Sequence, residues 1–151
     1  MSEEFAPPEE PNAIVAEEDE EATKGGWQII IPSIFLFIAG STTATAGLQM
    51  AIFTRLQIVP WSLFLTGCLL VLLSAWLTRG SAMASYLSAA VVTVLTVFSF
   101  FWNIWLLWVW LISPLHWLML ATCLVATLTA PIAIPAAQRI TRIKKKLWAD
   151  I

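Results

Sequence analysis

No aspartate or glutamate occurs between Glu21 and Asp150, and between Lys24 and Arg139 the only charged side chains are Arg55 and Arg79. A charge inside a membrane is costly and is kept there for work, so proton relays and cation-coupled carriers normally hold an acid in their spans. That device is missing here. The same gap excludes a two-carboxylate hydrolase, a carboxylate-ligated metal centre and the acid of a Ser-His-Asp triad. Cysteine is scarce too. Cys68 and Cys123 stand alone in apolar runs, so there is no CxxC pair for a membrane disulfide oxidoreductase, and both thiols read as packing residues. The expectation is a protein with no catalytic residues and no metal site.

What is present is apolar. Of the 151 residues, 59% are hydrophobic and 12% charged, with a mean hydropathy of +0.81, too little polar surface to cover a water-soluble globule. The chain belongs in a membrane. Its net charge of -2 hides a segregation: nine of the ten acids lie at or before Glu21, whereas Arg139, Arg142, Lys144, Lys145 and Lys146 gather near the end. Two oppositely charged tails result, and nothing in them points to nucleic acid. The acidic start lacks the basic n-region of a secretory signal, and neither end carries a lipidation motif.

The fold class expected is an all-α integral membrane protein with four transmembrane helices in antiparallel up-down order. Residues 1–26, rich in acids and carrying Pro7, Pro8 and Pro11, cannot bury enough surface to fold alone and read as a disordered cytoplasmic tail. Residues 27–137 form the membrane domain, with spans at about 27–53, 60–77, 85–112 and 114–137, each measured against the roughly 20 residues that cross a hydrocarbon layer. All four must be helical, because an open sheet leaves unpaired backbone groups in lipid. Pro131 and Pro135 are expected to bend or loosen the inner end of the fourth. Residues 138–151 read as a short basic amphipathic helix, with Ile140, Ile143, Leu147 and Ile151 at helical spacing. With both termini cytoplasmic, seven Lys and Arg lie inside against Arg55 alone outside, as the positive-inside rule requires.

Few side chains in the spans carry chemistry. His116 lies at the outer start of the fourth helix, where a neutral imidazole could ligate the central metal of a haem or a chlorophyll-type pigment, with Trp102, Trp105, Trp108 and Trp117 as possible contacts to it or to another hydrophobic ligand. The plainer alternative is an interfacial histidine exposed to water, among tryptophans that mark the outer boundary of the bilayer. Trp61 and Trp76 bracket the second span in the same anchoring role. Asn103, placed about a turn from the midpoint of the third helix, reads as an interhelical hydrogen-bonding residue. Gly40, Ala44, Gly47 and Ala51 recur at i, i+4, i+7 and i+11, a smooth stripe for close helix packing, within this chain or against another subunit.

The leading functional expectation is a small non-catalytic multi-pass subunit that packs into and stabilises a larger membrane complex. An oligomeric channel or carrier for a neutral or hydrophobic solute, lined by Ser41, Thr42, Thr45 and Gln49, is the first alternative. A pigment- or haem-binding subunit using His116 is the second, and an enzyme comes last. Expected partners are other membrane subunits, anionic lipids on the cytoplasmic face at Arg139, Arg142, Lys144, Lys145 and Lys146, and a soluble partner for the acidic tail.

Overall fold

The computed structural model describes residues 11–53, 58–108 and 113–149. They form four helices: α1 Pro11–Phe53, α2 Ile58–Leu77, α3 Ala82–Trp108 and α4 Pro114–Ala149. Within them, Gly26–Ile52, Ile58–Leu77, Ala82–Trp108 and Pro114–Ile143 are long and apolar enough to cross a membrane. This is an all-helical, multi-pass architecture.

Several boundaries differ from the sequence reading. Helix α1 begins at Pro11, so residues 11–26 are helical where an unfolded tail is expected; residues 1–10 lie outside the described residues. Once a membrane helix exists, each further residue adds a hydrogen bond without a new nucleus, and the Ala- and Glu-rich segment is made of good helix formers behind a proline suited to the first helical position. Helix α3 starts three residues earlier than expected and is described to Trp108, which leaves 109–112, and with them Trp110, outside the described residues. Residues 138–149 continue α4 and do not form a separate helix, and the helix passes through Pro131 and Pro135 unbroken. Residues 150 and 151 lie outside the described residues.

The turn from α2 into α3 shows why the chain reverses there. Gly80 takes a φ of 72°, and its N–H donates to the Leu77 carbonyl at 2.8 Å, closing the helix end in the left-handed conformation glycine tolerates best. Ser81 then accepts a hydrogen bond from the Ala84 N–H at 3.4 Å as the cap of α3. Helix α4 opens with Pro114 behind Ser113, whose carbonyl accepts from the His116 N–H at 3.2 Å.

Burial along α1 recurs every three to four residues, at Ile29, Pro32, Ser33, Leu36, Ala39, Gly40, Thr43, Ala46, Gly47 and Met50, so one stripe faces inward. On α3 the inward stripe is polar: of its eight buried residues, Ser85, Ser88, Thr96, Ser99 and Asn103 carry hydroxyl or amide groups. The large apolar side chains, Val94, Val97, Phe100 and Phe101 among them, point away from the core. Lipid supplies no hydrophobic drive for helices to associate, so close packing and interhelical hydrogen bonds hold them together.

Helix α1 packs on α2 and α4, and α4 packs on α3, while α2 and α3 meet along the least extensive of these contacts. The helices thus form a curled layer in the order α2, α1, α4, α3, with its two ends only loosely joined. Contact pairs run in opposite sense along neighbours: Gly40 meets Gly67 and Gly47 meets Pro60 on α1 and α2. On α3 and α4, Tyr86 bonds Gln138, Thr96 lies 2.8 Å from Thr127, and Asn103 reaches the His116 carbonyl at 3.3 Å.

Candidate functional site

The glycine stripe of α1 is occupied within the chain. A Cβ on Gly67 would lie 2.4 Å from the Ala44 nitrogen and 2.6 Å from the Gly40 carbonyl oxygen, and one on Gly47 would lie 2.6 Å from the Phe64 nitrogen. Gly40, Ala44 and Gly47 therefore let the α1 and α2 backbones touch. Ala51, at the end of the stripe, is partly buried. Gly67, the one glycine of α2, is the residue sequence reasoning missed; its signal was a lone glycine in a run of large apolar residues.

The hydroxyls of α1 serve packing as well. Thr42 Oγ1 lies 2.9 Å from Thr122 Oγ1 and Thr43 Oγ1 lies 3.9 Å from Cys123 Sγ, joining α1 to α4. Thr42, Thr43 and Thr45 also donate back to their own helix, at Ile38, Ala39 and Ser41. Thr45 is exposed, and Ser41 and Gln49 are partly buried.

The end of the bundle where α3 leads into α4 is where buried polar groups remain unsatisfied. Asn103 is 2% exposed, and its Nδ2 donates to the Ser99 carbonyl at 2.8 Å and to the His116 carbonyl at 3.3 Å. It lies eight residues beyond the midpoint of Ala82–Trp108, about 12 Å on a rise of 1.5 Å per residue, and not a single turn from it; the earlier start and described end of α3 move the midpoint inward. His116 is buried at 6% exposure, so the water-exposed interfacial reading does not hold. It falls on the inward stripe of α4 with Met119, Cys123 and Ala126, whereas Trp117, one position on, faces outward at 42% exposure. Trp105 and Trp108 are exposed at 50% and 84% and Trp102 is partly buried, so the four indoles do not share one environment.

Five buried side-chain polar atoms among the described residues have no hydrogen-bond partner: Gln49 Oε1, Ser99 Oγ, Trp102 Nε1 and both ring nitrogens of His116. Leaving such a group unpaired costs about 1 to 3 kcal/mol, so native interiors rarely do so without a reason. Gln49, Trp102 and His116 fall near one level, and Ser99 lies about a turn, ~6 Å, closer to the middle of the bundle. Asn103 ties α3 at Ser99–Asn103 to α4 at His116. Two turns toward the same end from the Thr42–Thr122 and Thr43–Cys123 contacts lie Gln49 and Met50 on α1 and Leu115 and His116 on α4.

Just inward of this layer, the loose α2–α3 seam holds a groove of about 350 Å³ between Leu63, Thr66 and Leu69 on one side and Val91, Val94 and Phe98 on the other. Its hydroxyls are already committed, Ser62 to the Val59 carbonyl at 2.8 Å and Thr66 to the Ser62 carbonyl at 2.7 Å. The groove therefore presents an apolar wall. Phe98 joins it to the layer above, since its ring stacks on Trp102 with centroids 5.9 Å apart, and Trp102 in turn meets Trp105 at 5.1 Å.

At the other end of the bundle, Arg139, Arg142 and Lys145 are exposed on α4, and the side chains of Lys144 and Lys146 lie outside the described residues. Among the described residues no group of three or more His, Cys, Asp or Glu side chains is gathered that could hold a metal ion. No protein-family model, curated protein or solved structure matches the chain.

Proposed function

We propose that the chain is a small non-catalytic subunit of a larger membrane assembly, inserted with its helices in antiparallel up-down order and both termini on the cytoplasmic side. The opposite running of the contact pairs supports the order, and the excess of Lys and Arg at Lys24, Arg79 and the α4 end supports the orientation. One observation carries the subunit reading: the helix layer is left open along the α2–α3 seam, while its other neighbours pack closely. A partner helix laid over that seam completes the enclosure. The exposed Arg139, Arg142 and Lys145 then meet anionic headgroups, each contributing about 1 kcal/mol.

The two alternatives draw less support. A solute pathway along Ser41, Thr42, Thr45 and Gln49 needs free hydroxyls, and those of Thr42 and Thr45 are bonded to their own helix. A haem or chlorophyll-type pigment ligated by His116 uses one ring nitrogen and leaves Gln49 Oε1 and Trp102 Nε1 unexplained.

The test is purification from native membranes in mild detergent, with mass spectrometry of co-purifying chains and a photoreactive residue placed at Val97 on α3 or at Leu128 on the outward face of α4. A fixed set of membrane chains and cross-linking from Val97 but not Leu128 are expected. A chain that leaves the membrane alone, without a cross-linked companion at either position, overturns the proposal.

A further inference from the structure

Two helices run on past their apolar spans at the end of the bundle where the α2–α3 turn lies. Residues 11–25 carry α1 beyond its apolar stretch Gly26–Ile52, and residues 144–149 carry α4 beyond Ile143, in both cases without a break in the helix. Their charges are opposite. The α1 extension holds Glu17, Glu18, Asp19, Glu20 and Glu21 against Lys24, and the end of α4 holds Arg139, Arg142, Lys144, Lys145 and Lys146 with no acid before Asp150. The turn at Gly80, which packs on Ile140, brings Arg79 to the same end.

The register of α1 on α4 sets the two charged stretches level. Thr42 and Thr43 meet Thr122 and Cys123, so these residues mark the faces that the two helices turn to each other. Steps of seven residues return to nearly the same face of a helix, and they can be followed along both. One step leads to Leu36 and Ala130, and two lead to Ile29, Ala136 and Ala137, all at most 4% exposed. The third, about 31 Å from the threonines on a rise of 1.5 Å per residue, leads to Glu21 and Ala22 on α1 and to Ile143 and Lys144 on α4. Glu20 and Asp19 then fall level with Lys145 and Lys146. Five consecutive acids at about 100° per residue encircle the helix, so the face toward α4 carries acids whatever the phase.

We infer that the acidic extension of α1 is the docking partner of the basic end of α4, an intramolecular clasp for which anionic lipid competes. Gly25 and Gly26 supply its hinge. They stand between span and extension, where two glycines weaken the helix, and nothing lies within 4 Å of a Cβ on Gly26, so packing does not require glycine there. Exposed ion pairs are individually weak and screened by salt, which leaves the clasp open to competition. On a neutral bilayer the lysines meet Asp19, Glu20 and Glu21. An anionic bilayer attracts the lysines and repels the acids, so Lys145 passes to the headgroups and the α1 extension swings free. The position of the extension thus follows the charge of the bilayer. The clasp rests on the antiparallel order proposed above and not on the subunit reading.

Distances between paired nitroxides, measured by pulsed electron paramagnetic resonance on the full chain in nanodiscs, test the clasp. The labels sit on cysteines in a background lacking Cys68 and Cys123: Ala16→Cys with Ala149→Cys across the charged stretches, and, as a reference, Ile38→Cys with Val125→Cys at exposed positions on α1 and α4 within the span. In phosphatidylcholine each pair should give one short distance, that of neighbouring helices with axes about 8 to 10 Å apart. With phosphatidylserine added, the reference distance should stay and the distance between positions 16 and 149 should lengthen by about 10 Å or more, one helix diameter. Lys144→Glu, Lys145→Glu and Lys146→Glu together should lengthen it in phosphatidylcholine as well, and adding Asp19→Lys, Glu20→Lys and Glu21→Lys should shorten it again. A long reference distance overturns the antiparallel order and the clasp with it. A short reference distance beside a long or broad one between positions 16 and 149 in phosphatidylcholine, or one indifferent to the lysine reversal or to phosphatidylserine, overturns the clasp alone.

Discussion

Replacing Gly67 with alanine tests the α1–α2 contact by the sign of the effect. In a helix interior alanine is favoured over glycine by about 1 kcal/mol, so without a tight neighbour the substitution stabilises. Gly67 has such a neighbour: the new Cβ falls 2.4 Å from the Ala44 nitrogen, 2.6 Å from the Gly40 oxygen and 2.8 Å from the Ala44 Cα, all backbone atoms that no rotamer change can move. Ordinary contact begins near 3.4 Å, so α1 and α2 must separate by about 1 Å at this level. A gap of 0.5 to 1 Å forfeits a quarter to a half of each dispersion contact along the seam. Overpacking of this kind costs about 1 to 3 kcal/mol and outweighs the propensity gain. Gly26 is the internal control, with nothing within 4 Å of its Cβ position. Unfolding of both variants in mixed micelles, followed by circular dichroism as the denaturing detergent fraction rises, should show Gly67→Ala less stable by up to about 2 kcal/mol and Gly26→Ala unchanged or slightly more stable. Equal or raised stability of Gly67→Ala would refute the close approach of α1 and α2.

Further outcomes follow from the same geometry. Gly80→Ala forces a side chain into a φ of 72° and sets its Cβ 2.8 Å from Ile140 Cγ2, so it should lower the unfolding midpoint by a loss of about 1 to 3 kcal/mol in the same assay. Asn103→Leu removes the bonds to the Ser99 and His116 carbonyls but keeps the volume, and should cost about 0.6 to 1.7 kcal/mol; no loss would mean that Asn103 does not join α3 to α4. In sealed vesicles of known orientation, single cysteines introduced at Ser2 and Arg55 in a background lacking Cys68 and Cys123 should be modified by a membrane-impermeant maleimide from opposite sides. Labelling of both from one side would refute the topology.

Much of the fold was legible because lipid imposes few choices. A run of about 20 apolar residues has to be helical, and four such runs with brief links have little freedom beyond tilt. The glycine stripe was visible by its spacing, and its partner Gly67 could be read from the same small-residue logic. Less legible were element ends. The helix through residues 11–26 is set by propagation from the membrane span, a cooperative effect that composition alone does not express. Residues 138–149 are likewise a continuation of α4, since no residue between Pro135 and Ala149 stops a helix.

His116 shows the limit of reading side chains one at a time. Its position at a helix start beside Trp117 suggests water, because interfacial residues are placed by depth. Depth does not fix azimuth. The inward stripe of α4 recurs through His116, Met119, Cys123 and Ala126, and adjacent residues on a helix point about 100° apart, so His116 turns inward while Trp117 turns to lipid. The aromatic run is divided in the same way: Trp105 and Trp108 are largely exposed, but Trp102 carries its indole N–H into the core beside Asn103. Helical phase, set by which face the neighbouring helices cover, separates the exposed tryptophans from the one whose indole N–H is buried. That phase was already carried by the polar side chains of α3, whose buried members Ser85, Ser88, Thr96, Ser99 and Asn103 keep helical spacing and point to the interior of the bundle. On α3 the stripe of buried polar residues, and not the aromatic run, marks the inward direction.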